Sequence, residues 1–204
     1  MFKNSEIKIF KIALCDMENI QERKQTVNIL CGGNGSGKTL AIKELAKDKD
    51  NVFYFTKEDK NIMGTVNDIQ SEETFSSAYY EAFWGLVDEI FIIKGCRERI
   101  LGILQGFSDK IEDLQACGKK ILVSMPFSNR MLPLEALGNG MVEIFEALCF
   151  LLHGNYNMFL FDDLLDRLDS ENQIKFLEVV LNIAKEREIT VFFTTCNQKF
   201  LEEN

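Results

Sequence analysis

Nine residues, Cys31 to Thr39, have the types and spacing to hold phosphate: Cys-Gly-Gly-Asn-Gly-Ser-Gly-Lys-Thr. Gly32, Gly37, Lys38 and Thr39 satisfy G-x-x-x-x-G-K-[ST], with the apolar residues Val27, Ile29 and Leu30 before the loop and a helix-compatible stretch after it. Four glycines within six positions let the backbone bend into left-handed conformations and approach a ligand without Cβ clashes, so that Gly33, Asn34, Gly35, Ser36 and Gly37 can aim N–H groups at phosphate oxygens. The helix expected to open near Lys38 adds the positive end of its dipole. Lys38 is expected to reach the β- and γ-phosphates of a nucleotide, and the Thr39 hydroxyl to ligate Mg²⁺.

A second group of residues complements the first. Phe159-Leu160-Phe161 reads as a buried strand ending in Asp162-Asp163. A carboxylate pair at such a strand end, downstream of a phosphate loop, suits Mg²⁺-dependent phosphoryl chemistry. Asp162 would hold the metal through its water shell, and Asp163 would orient or deprotonate the attacking water.

Positioning these residues requires alternating strands and helices. Apolar side chains at Ile7, Ile9, Ile12 and Leu14, with Val27 to Leu30, predict an opening pair of strands. A first helix is expected over 39–48 and a strand over Val52 to Phe55, followed by a polar, solvated loop from Thr56 to Ile69. Helical spacing then recurs in Phe75, Tyr79, Phe83, Leu86, Ile90 and Ile93. It recurs again in Ile100, Leu104, Phe107, Ile111 and Leu114, with Gly118 as the stop. These two helices form an expected helical insertion at about 70–118. Further strands are predicted at Ile121 to Met125 and Thr190 to Thr195, and helices at Met141 to about Leu152 and at 171–187. Ser170 and Gln173 have the spacing of a capping box for the last helix, with Ile174, Leu177, Val180, Leu181 and Ala184 facing the core. The expected architecture is an α/β fold with a parallel sheet covered by helices on both faces.

Composition narrows the function classes. The chain has 204 residues, 46% hydrophobic with 17 phenylalanines, enough for one domain with a substantial core. A net charge of −9 gives no support to nucleic-acid binding by bulk electrostatics. Lys119, Lys120 and Arg130 are too dispersed in sequence to form a patch by themselves. Six cysteines (15, 31, 96, 117, 149, 196) without a C-x-x-C pair, and the single histidine His153, suggest neither zinc nor a disulfide framework. They read as buried thiols in a reducing cytosol. No apolar run approaches the ~20 residues that span a bilayer, and the first residues lack a signal-peptide apolar region. The expectation is a cytoplasmic chain without membrane insertion.

With these motifs in order, the chain resembles the ABC-class P-loop ATPases. Gly-Gly-Asn-Gly-Ser-Gly-Lys-Thr is similar to their G-P-N-G-S-G-K-[ST] loop. Pro-Leu-Glu-Ala-Leu-Gly-Asn-Gly-Met, residues 133–141, is similar to the L-G-x-G-M signature of the OLD and RecF branch, which also includes SMC proteins and other AAA family ATPases. Leu168-Asp169 matches the end of the family's D-loop, and Phe192-Phe193-Thr194-Thr195 the strand before its switch residue. The resemblance implies a P-loop NTPase sheet with a small helical subdomain, ATP and Mg²⁺ as cofactors, and a homodimer sandwiching ATP. In that dimer Gly138, Asn139 and Gly140 of one subunit would meet the nucleotide held by the other.

Three departures from the family pattern bear on the rate. Asp163 stands where the family has Glu, Cys196 or Asn197 where it has the switch histidine, and no glutamine of the Q-loop kind lies near Thr56 to Asp59. The expected function is a slow ATPase whose ATP-dependent dimerisation regulates a separate effector protein, in DNA repair or defence against phage. The rival expectations are the ATPase subunit of a membrane transporter and a nearly inactive nucleotide-binding scaffold. His153, at the end of the signature helix, is expected to be structural.

Overall fold

The computed structural model describes residues 7–11, 27–47, 49–55, 60–61, 72–93, 95–126 and 130–197. Its main sheet is built from short runs that are apolar almost throughout. Val27–Cys31 (β2), Val52–Phe55 (β3), Met158–Phe161 (β8) and Thr190–Thr195 (β9) are buried at every position. Burial on both faces is what a parallel sheet between helical layers requires. With Ile7–Lys11 (β1) and Lys60–Asn61 (β4) the sheet has, among the described residues, six strands in the order β1-β2-β9-β8-β3-β4. The first five are mutually parallel and only β4 runs antiparallel, at the edge beside β3.

The period-two alternation of side chains divides the core in two. Val27, Ile29, Phe53, Phe55, Phe159, Phe161, Val191 and Phe193 point to one face. There they meet helices Glu72–Ile92 (α2), Cys96–Gln105 (α3), Asn139–His153 (α4) and Ser170–Arg187 (α5). Rings dominate this layer: Phe53 stacks on Phe150 of α4 at 4.3 Å, and Phe161 on Phe193 at 5.1 Å. Leu30, Val52, Tyr54, Leu160 and Phe192 point the other way, against Ala41, Ile42 and Ala46 of helix Lys38–Ala46 (α1). The strand that feeds the glycine loop and the strand that ends in the carboxylates are therefore held between two apolar layers.

The region after α2 departs from the sequence expectation. Helix α3 stops at Gln105 rather than continuing to Leu114, and Asp113–Ala116 (β5), Ile121–Ser124 (β6) and Met131–Pro133 (β7) form a separate antiparallel three-stranded sheet. Gly118, with φ +57°, serves the turn joining β5 to β6 and ends no helix. The strand at Ile121 thus lies outside the main sheet. Helices α2 and α3 also share the core of the main sheet, through Phe83, Val87, Ile90, Ile100 and Leu104, so the expected helical insertion is packed as part of one body.

Two further corrections concern α5. Its N-cap is Asp169, whose carboxylate accepts from the Asn172 N–H at 2.9 Å, so the Ser170–Gln173 capping box does not form. Ile174 does not face the core; it is 42% exposed. The remaining named positions, Leu177, Val180, Leu181 and Ala184, are buried. At the other end of the helix, Arg187 donates to the carbonyls of Leu151 and Gly154, satisfying acceptors at the C-terminus of α4.

Candidate active site

Because β2, β9, β8 and β3 run parallel, their C-terminal ends share one edge of the sheet, where open α/β sheets bind ligands. Register sets the details. Cys31 pairs with Thr195, while Phe161, the last residue of β8, pairs with Phe193. Asp162 therefore leaves the sheet level with Thr194, and the Thr194 hydroxyl donates to its Oδ1.

The glycine loop takes the conformation its composition requires. Gly35 and Gly37 have φ of +76° and +89°, a region costly for residues with a Cβ. The loop is tied down by the Gly32 N–H on the Thr195 carbonyl (3.2 Å) and by the Ser36 N–H on the Gly33 carbonyl (3.2 Å). Gly33, Asn34 and Gly35 are exposed, and a Cβ built on Gly33 or Gly35 would meet nothing within 4 Å. Gly37 caps α1 without a side-chain hydrogen bond, and the first turn carries no acidic residue. The helix N-terminus thus keeps its donors and its positive end for an anion.

Lys38 and Thr39 open α1 beside the loop and the carboxylates. Lys38 is 7% exposed, and its ammonium donates to the carbonyls of Gly32 (2.7 Å) and Gly33 (3.1 Å), with the Cys196 thiol at 3.4 Å. It forms the floor of the loop. The Thr39 hydroxyl donates to Asp162 Oδ2 at 2.8 Å, bringing together two residues 123 positions apart. Asp162 is 5% exposed; its backbone N–H donates to the Phe55 carbonyl at 2.8 Å, and the Tyr54 hydroxyl approaches Oδ2 at 3.4 Å.

Asp163 is half-buried with φ +57°, a backbone region that Asp tolerates better than Glu. Its N–H donates to the Thr194 hydroxyl at 2.9 Å. Burial, and then the charges of Asp162 and Asp166, raise the Asp163 carboxyl above its usual value of 3.8, with Lys38 and Thr194 offsetting part of the effect. The folded chain therefore binds more protons at Asp163 than the unfolded chain does just above that value, and the stability this group contributes falls as pH rises through the interval. Asp163→Asn is expected to be more heat-stable than the parent at neutral pH, with the difference shrinking toward about pH 4. Thermal unfolding of both proteins across that range checks this. A variant less stable than the parent at neutral pH would contradict it.

The signature residues lie elsewhere on the chain. Gly138, with φ +103°, precedes α4, and Asn139 and Gly140 open it; Gly138 and Asn139 are exposed. Within one chain their described neighbours are Glu135, Arg167 and Leu168 rather than the phosphate loop.

Sequence reasoning left several participants without a role. Thr194 bridges Asp162 and the Asp163 backbone. Asp166, in the 3-10 turn Leu165–Arg167, accepts from the Thr195 hydroxyl and from the Cys196 N–H (2.8 Å). Cys196 in turn donates its thiol to Asn34 Oδ1 at 3.0 Å. The spacing of three aspartates after β8 was the available signal for Asp166. The cysteines also differ from the uniform expectation: Cys31 and Cys149 are buried, Cys96 and Cys196 half-buried and Cys117 exposed, all free, while Cys15 lies outside the described residues. Burial pushes the Cys31 thiol up to about 11. His153 lies at the C-terminal end of α4, where burial, with Arg187 and Arg99, lowers its pKa. Thr56 to Asp59, the Q-loop region, lie outside the described residues.

No family model matches this chain, and no curated protein matches it. Oxygen donors from Thr39 and Asp162 within 2.8 Å of each other suit a hard divalent cation such as Mg²⁺, and the open glycine loop over a buried ammonium suits a phosphate chain. Among the described residues no helix is long and apolar enough to cross a membrane.

Proposed function

We propose that this chain is an ABC-type P-loop ATPase subunit that binds Mg-ATP at the loop 32–39 and hydrolyses it slowly. The observation that carries the reading is the Thr39–Asp162 hydrogen bond, with the buried Lys38 ammonium under the same loop. In this reading the N–H groups of Gly33 to Thr39 bind phosphate oxygens and Lys38 neutralises the β- and γ-phosphates. Thr39 and Asp162 hold the metal. Bound there, Mg²⁺ would offset the charge that builds on the phosphate oxygens. Asp163, raised in basicity, orients a water and accepts its proton.

Slow turnover follows from the same residues. Asp163 is short, and Cys196 stands where a basic residue would assist, its thiol engaged with Asn34. By resemblance, two subunits pair around ATP through Gly138, Asn139 and Gly140, and that pairing regulates a separate effector acting on nucleic acid, in repair or phage defence. The engaged Cys196 also favours a second reading, a scaffold that binds nucleotide without hydrolysing it.

Steady-state turnover and native mass of the full chain, with and without Mg-ATP, test these readings. The ATPase reading expects turnover below about 1 per second, under the usual enzyme range, with ATP-dependent doubling of mass. Tens of turnovers per second would contradict the slow mechanism, and pairing with no hydrolysis would support the scaffold.

A further inference from the structure

Helix α4 and the turn after the carboxylates are joined by a part-buried ion pair that the chemistry above does not use. Glu143, 8% exposed on the first turns of α4, accepts from Arg167 Nη1 in the 3-10 turn Leu165–Arg167. The contact is end-on. Glu143 Oε2 and the guanidinium's Nε and Nη2 are buried without a partner among the described residues, so each side chain commits one atom rather than the two of a fork. Beside the pair, Gly140 fits closely: an added Cβ would lie 3.2 Å from Leu168 Cδ2 and 3.4 Å from the Arg167 carbonyl.

From Arg167 a continuous set of contacts leads to the phosphate loop. The adjacent Asp166 holds the Thr195 hydroxyl and the Cys196 N–H, and the Cys196 thiol touches Asn34 and the Lys38 ammonium. We propose that Glu143–Arg167 is a positioning pair: it fixes the turn carrying Asp166 against α4, and so fixes Cys196 over the phosphate loop. Its use as a relay, reporting to the loop what docks at Gly138–Gly140, rests on the function proposed above. The mechanical link does not, so it can be tested without nucleotide.

The test is the alkylation rate of each cysteine by iodoacetamide in the full chain, resolved by mass spectrometry. Exposed Cys117 gives the reference rate and buried Cys149 reports global opening. Glu143→Met and Arg167→Met, which each remove the contact, are expected to raise the Cys196 rate about tenfold, equivalent to about 1.4 kcal/mol of local opening, with Cys149 still protected. Arg167→Lys, which can keep one contact to Glu143, should return the rate toward that of the parent. Asp166→Asn should raise it by the direct route. An unchanged Cys196 rate in Glu143→Met and Arg167→Met would overturn the proposal, and so would a rise matched by Cys149, which marks general loosening. If the parent chain proves not to bind Mg-ATP, the function fails while the alkylation pattern still decides the link.

Discussion

Lys38→Ala is expected to weaken Mg-ATP binding at least about a hundredfold, or about 2.7 kcal/mol. The ammonium is the one cation that approaches the loop in the described contacts, and it is buried. Its neighbours Asp162, Asp163 and Asp166 would otherwise present an anionic surface to an anionic ligand. The substitution removes the Lys38 hydrogen bonds to the Gly32 and Gly33 carbonyls but keeps the loop's backbone anchors, since Gly32 donates to Thr195 and Ser36 to Gly33. Loss of binding with little loss of fold is therefore the expected pattern. Equilibrium titration with a fluorescent ATP analogue, alongside thermal unfolding, checks both parts. A variant that binds within threefold of the parent would remove Lys38 from the site.

Asp162→Asn is expected to lower Mg²⁺-dependent hydrolysis at least about a hundredfold, the few kcal/mol of charge stabilisation a bound metal contributes. Asn is nearly isosteric, and the hydroxyls of Thr39 and Thr194 can rotate to accept from its amide or donate to its oxygen, so the sheet edge should persist. Mg²⁺ alone should raise the melting temperature of the parent by relieving the crowded carboxylates, and should leave Asp162→Asn unmoved. Equal Mg²⁺ responses in the two proteins would place the metal elsewhere.

The parts of the site that were legible in sequence are those with local signatures. The loop's glycines, Lys38 and Thr39 follow from spacing, and Asp162 from its place at the end of a buried strand. What joins them was not local. Thr194 meets Asp162 because β9 lies between β2 and β8, a fact of strand order that no window of sequence contains. Asp166 matters because a 3-10 turn folds it back on Thr195 and Cys196, some thirty residues on.

The fold shows the same division. Uniformly apolar strands and the long helices α2, α4 and α5 were legible because their patterns are long or unbroken. Ile111 and Leu114 misled because a spacing of three fits the second helix, whereas they are buried through an irregular segment and a short strand. Gly118 is equally good at ending a helix and turning a hairpin, and only pairing of Ala116 with Ile121 decides between them. Ile174 satisfied the helical period yet remains exposed, since periodicity identifies a face and not what covers it.

The most direct test of the central claim is calorimetric titration of the full chain with Mg-ATP, Mg-ADP and adenosine in parallel. The account predicts saturable one-to-one binding of both nucleotides, lost on chelation of Mg²⁺ or weakened by it, and far weaker binding of adenosine, because the affinity resides in the phosphate loop. Binding of adenosine as tight as that of ATP, or no binding of either nucleotide, would contradict it.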